Sequence, residues 1–282
     1  MKKILLISLL STTYIFSNIN AVVSILPEQT FVKAIGGDKV DVALMVQPGN
    51  SPHTYEPKPS QMIDITKADL YFAIGVEFEQ VWLPKFKNLN TKMQVIDLAE
   101  NISKIHMAQA DGAHHDGHGH GREDPHIWTS PANVKIIAEN IYRALSTADA
   151  ENAKYYQHNL HAFLKKIEKT NTQIKQILAS LKENRRFMVF HPSWGYFAKA
   201  YDLEQIAVEV EGKEPKPKEL IYLLKEAKEE KVKAIFTQPE FSDTVAKIIA
   251  KELKIPVIKV SPLAANWPEN LIKIANTIAG KN

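Results

Sequence analysis

Three histidines of this chain stand in proline-bounded settings. His53 lies in Ser51-Pro52-His53-Thr54-Tyr55-Glu56-Pro57, His126 in Asp124-Pro125-His126-Ile127-Trp128, and His191 in Phe190-His191-Pro192-Ser193-Trp194. Proline restricts the backbone around each ring, and a preorganised donor loses less entropy when it binds. Neutral imidazole nitrogen suits zinc, copper or nickel, whereas magnesium, calcium and manganese favour oxygen. Three such nitrogens at about 2.0–2.1 Å and one further donor make a tetrahedral zinc site. The separations of 73 and 65 residues match no local metal motif. Spacing alone therefore leaves open whether the three rings meet at one cation or are structural histidines, each satisfied by its own hydrogen bonds.

A second group of histidines is of another kind. His106, His114, His115, His118 and His120 fall within residues 106–123, among Asp111, Asp116 and four glycines. The segment has almost no aliphatic residues with which to bury a core, so a mobile loop is expected. Five imidazoles on a tether can capture metal, but loosely, because ordering the loop costs conformational entropy. The plain alternative is a solvated linker. Cysteine is absent, which excludes disulfides, a thiol nucleophile, thiolate zinc and iron–sulfur clusters. Any transition-metal site must use histidine and carboxylate.

The amino terminus bears on location. Lys2 and Lys3 precede an apolar run from Ile4 to Phe16, and Ser17-Asn18-Ile19-Asn20-Ala21 follows. This is the pattern of a secretory signal over residues 1–21, too short to span a bilayer. Without a cysteine to carry a lipid, the exported protein is expected to be free in a periplasm. The formal net charge of +3 falls to +1 when Lys2 and Lys3 are removed, with none of the basic field that nucleic-acid binding needs. Lysines of the second half alternate with glutamates and read as a solvated face.

The elements that must position the histidines follow from hydrophobic periodicity. Among 282 residues, 45% are apolar and 24% charged, an ordinary globular balance at a length that suggests two lobes. Strands are expected at 22–25, 41–46, 70–74 and 94–98, then at 187–190, 204–208, 234–237 and 257–260. Amphipathic segments lie between them, which means α/β with parallel sheets, twice. His53 and His191 follow strands, where ligands bind in open α/β sheets. Residues 22–148 form the first lobe and 185–282 the second. Between them a stripe of Ala153, Tyr156, Leu160, Phe163, Ile167, Thr170, Ile174, Ile177 and Leu181 recurs every three or four residues. One helix over 149–184, capped by Asp149 and about 50 Å long, should brace both lobes.

Taken in order, the export signal, Pro-His-Thr-Tyr-Glu-Pro, the His-rich loop, Asp-Pro-His-Ile-Trp, the unbroken helix, Phe-His-Pro-Ser-Trp-Gly-Tyr-Phe, Glu-Gly-Lys-Glu-Pro, Gln-Pro-Glu-Phe-Ser and Ser-Pro-Leu-Ala make a pattern. The chain resembles the zinc-specific solute-binding proteins of bacterial ABC importers, the ZnuA-like group, along essentially its whole mature length. The resemblance implies two (β/α)4 lobes bridged by one rigid helix, with Zn2+ held between them by His53, His126 and His191. It also implies delivery to a membrane permease. A monomer is expected, with no catalytic role. Two positions depart from the group: Ser261 stands where many members carry Asp, and Pro52 precedes the first ligand in place of an acid. Water or a loop residue is then expected as fourth donor, and Glu56, Glu211 and Glu214 are candidates for acids behind the ligands, among which the sequence does not choose. The alternatives are manganese import on the same fold and, from another class, a three-histidine zinc hydrolase. No compact motif such as His-Glu-x-x-His supports the hydrolase.

Overall fold

The computed structural model describes residues 18–107, 123–181, 185–209 and 213–281. Two four-stranded parallel sheets form it. The first contains β1 (Ile19–Val23), β2 (Val40–Leu44), β3 (Leu70–Ala73) and β4 (Gln94–Asp97) in the order β2-β1-β3-β4. The second contains β5 (Arg186–Val189), β6 (Glu204–Ala207), β7 (Ile235–Thr237) and β8 (Val257–Lys259) in the order β6-β5-β7-β8. The two orders are the same pattern. Each central pair, β1 with β3 and β5 with β7, is where successive connections leave in opposite directions and where open sheets form a crevice. Leu70-Tyr71-Phe72-Ala73 is buried throughout, as a strand covered by helices on both faces must be.

Nine α-helices lie among the described residues: α1 (Leu26–Gly36), α2 (Pro59–Lys67), α3 (Glu77–Leu89), α4 (Pro131–Ala148), α5 (Ala153–Leu178), α6 (Gly195–Ala200), α7 (Pro217–Glu229), α8 (Thr244–Leu253) and α9 (Trp267–Ile278). The stripe of α5 buries Tyr156, Leu160, Phe163, Ile167, Thr170, Ile174 and Leu178 against α1 and α4 of one lobe and α9 of the other. Phe31 of α1 shows the junction directly. Its ring lies 5.6 Å from that of Phe163 in α5 and 5.8 Å, edge-on, from that of Trp267 in α9. One continuous apolar core therefore runs from the first sheet through α5 into the second lobe.

Two expectations are corrected. The linking helix is shorter than 149–184 at its far end: a 3-10 turn, Ala150–Asn152, leads without a break into the 26 residues of α5, which stops at Leu178. Asp149 caps that turn as expected and at the same time ends α4, and its Oδ2 accepts bonds from Tyr156 Oη and Asn152 Nδ2, each 2.7 Å. The first strand begins at Ile19 rather than Val22. Ile19, Asn20 and Ala21 pair with Val40, Asp41 and Val42, so a chain cut after Ala21 would lack three of the five residues of β1. The eighteen-residue α4 follows closely on His126, at the place where a helix is expected.

Candidate metal centre

The crevice ends of the two sheets face one another, and His53, His126 and His191 line the cleft between them. His191 stands centrally. Its ring centre lies 5.2 Å from that of His53 and 5.3 Å from that of His126. Geometry gives these distances a meaning. Imidazoles bound through nitrogen to one tetrahedral cation at about 2.0–2.1 Å hold neighbouring ring centres about 5.2 Å apart. Among the described residues no three His, Cys, Asp or Glu side chains are set to hold an ion as they stand, so closing on a cation requires side-chain adjustment.

Each ring is held by a carboxylate on Nδ1. His53 Nδ1 contacts Glu77 Oε2, His126 Nδ1 lies 2.7 Å from Asp124 Oδ1, and His191 Nδ1 lies 2.8 Å from Glu209 Oε1. An ionised carboxylate only accepts, so the proton belongs on Nδ1 and Nε2 becomes the ring's lone-pair donor. This is the arrangement that orients histidine ligands and raises their basicity. His191 Nε2 is buried without a hydrogen-bond partner, a costly state for a polar atom unless a ligand meets it.

Local structure explains why the rings sit here. His191 follows β5, and Gln238 at the end of β7 clamps its turn by donating to His191 O at 2.7 Å and to Ser193 Oγ at 2.9 Å. Phe241 stacks on the His191 ring with centres 4.8 Å apart. Asp124 Oδ1 accepts the His126 backbone N–H at 2.9 Å as well as Nδ1. The Asp124 carbonyl in turn accepts from Tyr196 Oη of the second lobe at 3.1 Å. Two tryptophans tie the lobes beside the cleft: Trp128 Nε1 donates to Pro262 O at 2.8 Å and Trp267 Nε1 to Trp128 O at 2.7 Å.

In the first lobe two buried acids fix the crevice. Glu28 Oε2 accepts the backbone N–H groups of Ser24 and Ile25, 3.0 and 2.8 Å away. Glu79 accepts those of Ile74 and Gly75 at 3.0 and 2.8 Å, together with the Ser24 hydroxyl. Burial, and then the charge of Glu79, push the Glu28 carboxyl well above its ordinary range, and burial also raises Glu79. These bonds set the turn that presents Val76 and Glu77 to the cleft.

The remaining expected site residues lie elsewhere. His106 is exposed and pairs with Glu123 in an isolated antiparallel bridge. It borders a different cavity, with Gly195 and Lys199. His114, His115, His118, His120 and Glu211 fall outside the described residues. Glu56 and Glu214 are exposed and do not line the cleft. Among the described residues, the acids behind the histidines are Glu77, Asp124 and Glu209. Glu240, which follows β7, also lines the cleft and had no assigned role. Its signal in sequence is its place just beyond a central strand, the same logic that singles out His191.

Two lobes of equal topology with a donor-lined cleft between them define a two-lobed binding protein of the kind that carries a small solute to a membrane transporter. The family model described as "Zinc-uptake complex component A periplasmic" (ZnuA) matches residues 21–280, and the chain belongs to that family. A crystal structure of ZnuA superposes with a TM-score of 0.86 at 42% identity, covering 94% of this chain and 99% of that one. The metal ABC transporter substrate-binding lipoprotein FimA of Streptococcus parasanguinis is 30% identical over 80% of this chain and 74% of its own. The manganese ABC transporter substrate-binding lipoprotein PsaA of Streptococcus pneumoniae is 32% identical over 80% and 73%. The protein is thus a substrate-binding component of a metal ABC transporter. No helix among the described residues is long and apolar enough to cross a membrane.

Proposed function

We propose that the protein captures Zn2+ in the periplasm, holds it between its lobes through Nε2 of His53, His126 and His191, and passes it to a membrane permease. The observation that carries this reading is the convergence of three imidazoles, each with a carboxylate on Nδ1, at ring spacings matching one tetrahedral cation. Nitrogen-rich donation favours zinc over manganese, although a manganese-named relative shares the fold. The shared core and the tryptophan bonds between the lobes favour small movements on loading over wide hinge opening. His106, His114, His115, His118 and His120 serve as weak auxiliary capture sites. The chain acts as a monomer, and export removes a segment ending before Ile19.

Metal binding requires unprotonated rings, and ordinary imidazoles titrate near pH 6.5, so affinity should fall steeply below about pH 6. Competition titrations of metal-free protein with zinc and manganese between pH 5 and 8 test this. One tight zinc equivalent, weakening with acid and preferred over manganese, is expected. Binding that ignores pH, or tighter binding of manganese, contradicts it.

A further inference from the structure

We propose that the Glu240 carboxylate is the fourth donor to the captured cation, aimed by Ser261. The inference rests on the histidine reading above and extends it to a residue that reading leaves unused. Among the described residues, Glu77 and Glu240 line the cleft and Asp124 and Glu209 stand behind its histidines. Glu77, Asp124 and Glu209 are each engaged with a histidine Nδ1, and Asp124 Oδ2 lies against the Gly195 backbone, where an added Cβ would come within 2.5 Å. Glu240 lines the cleft together with the three histidines and contacts none of their Nδ1 atoms. Its Oε1 accepts the Ser261 hydroxyl at 2.8 Å, while its Oε2 is buried with no hydrogen-bond partner.

The direction of the Ser261 bond is fixed. Ser261 Oγ accepts the Leu263 backbone N–H at 3.0 Å, and the Ser261 carbonyl accepts from Asn270 Nδ2 at 2.8 Å. The hydroxyl therefore spends its proton on Glu240 Oε1, which leaves Oε2 as an acceptor without a donor. A buried acceptor of this kind is costly unless something positive meets it. Topology points the same way: His191 and Glu240 leave the ends of β5 and β7, the two central strands of the second sheet, and so flank one crevice. Three neutral imidazoles leave a divalent cation fully charged, and one carboxylate offsets part of that charge away from water.

The test uses the full mature chain with Co2+ as a spectroscopic probe and Zn2+ in chelator competition. Glu240→Gln should keep one equivalent of metal, weaken zinc at least about tenfold and shift the visible Co2+ bands. Ser261→Ala should shift both in the same direction by less. Glu240→Asp, which keeps a carboxylate, should retain more affinity than Glu240→Gln, and this comparison decides the matter if the amide variant melts early. Unchanged affinity and Co2+ spectra in Glu240→Gln, with His191→Ala still abolishing the tight site, would give the fourth position to water and overturn the proposal alone. Survival of the tight site in His191→Ala would instead bring down the histidine reading beneath it.

Discussion

Glu209→Gln isolates what a carboxylate does behind a ligand. Glu209 is 6% exposed, and its Oε1 lies 2.8 Å from His191 Nδ1. The amide has nearly the same shape, so packing is preserved while two things change. The bond becomes neutral, falling from the roughly 1.5–3 kcal/mol of a charged acceptor to roughly 0.5–1.5 kcal/mol. In addition, glutamine can turn its NH2 toward Nδ1, which places the ring proton on Nε2, the atom meant for metal. The bond is already made without metal, so its weakening costs about 1 kcal/mol of stability in the metal-free protein. The lost tautomer preference and ring basicity bear on the metal itself and should weaken zinc about 10–100-fold. Zinc competition with a chromogenic chelator at pH 7 measures the loss, and nitrogen NMR of the His191 ring reports the tautomer in the metal-free protein. Stoichiometry should stay at one, and the stability of the metal-free protein should fall by only about 1 kcal/mol. Affinity within twofold of the unaltered protein, with the ring already protonated on Nε2 before substitution, would refute the reasoning.

Gly195→Ala should act on the neighbouring ligand, because the new Cβ would fall 2.5 Å from Asp124 Oδ2 and 3.2 Å from Gln205 Nε2. Displacing Asp124 from His126 should weaken zinc at least about tenfold, and overpacking should lower stability by about 1–3 kcal/mol, both read by titration and denaturant melts. Trp128→Phe removes the Nε1 bond to Pro262 O and strands a buried carbonyl, at an expected cost of about 1–3 kcal/mol in chemical denaturation; an unchanged midpoint would mean the latch contributes nothing. Glu28 holds more protons folded than unfolded, because its folded carboxyl titrates above the ordinary 4.5. Its contribution to stability is therefore lost as pH rises from about 4.5 through the raised folded value. Urea melts of metal-free protein should show a smaller decline between pH 5 and pH 8 in Glu28→Gln than in the unaltered chain, and equal slopes would sink the assignment.

Much of the scaffold is legible in the sequence because short β-branched runs and amphipathic stretches carry their own periodicity. The seven strands after β1 fall within a residue or two of their expected spans, and the burial stripe of α5 follows the repeat from Tyr156 onward. Ends of elements are less legible. Leu181 stays in phase with the stripe, so periodicity runs past Leu178, where the helix ends. Asp149 has the composition of a helix start and caps the 3-10 turn that opens the linking helix, while also ending α4. The helix of Pro131–Ala148 was readable from Val134, Ile137, Ala138, Ile141 and Leu145, the three-and-four spacing of its buried face. Ser17-Asn18-Ile19-Asn20-Ala21 reads as an export boundary because polar residues lead to a small one, although Ile19 is large for it, and pairing with Val40, Asp41 and Val42 draws Ile19 to Ala21 into the sheet.

The same division holds at the site. Proline-bounded histidines can be read from neighbours in the chain, two of them, His53 and His191, also from the strands they follow, and the three line one cleft. The partners of their Nδ1 atoms cannot be read in that way, except Asp124, which sits two residues from His126. Glu77 reaches His53 across 24 residues and Glu209 reaches His191 across 18, distances set by how turns fold back at the sheet ends. No periodicity records such contacts, which is why Glu56 and Glu214 were expected and Glu77 and Glu209 were found.

X-ray absorption and crystallography of zinc-loaded protein address the central claim most directly. The account predicts one zinc ion bound by Nε2 of His53, His126 and His191 at about 2.0–2.1 Å, each ring keeping its carboxylate on Nδ1. A zinc shell dominated by oxygen, or any one of these three rings turned away from the metal, would contradict it.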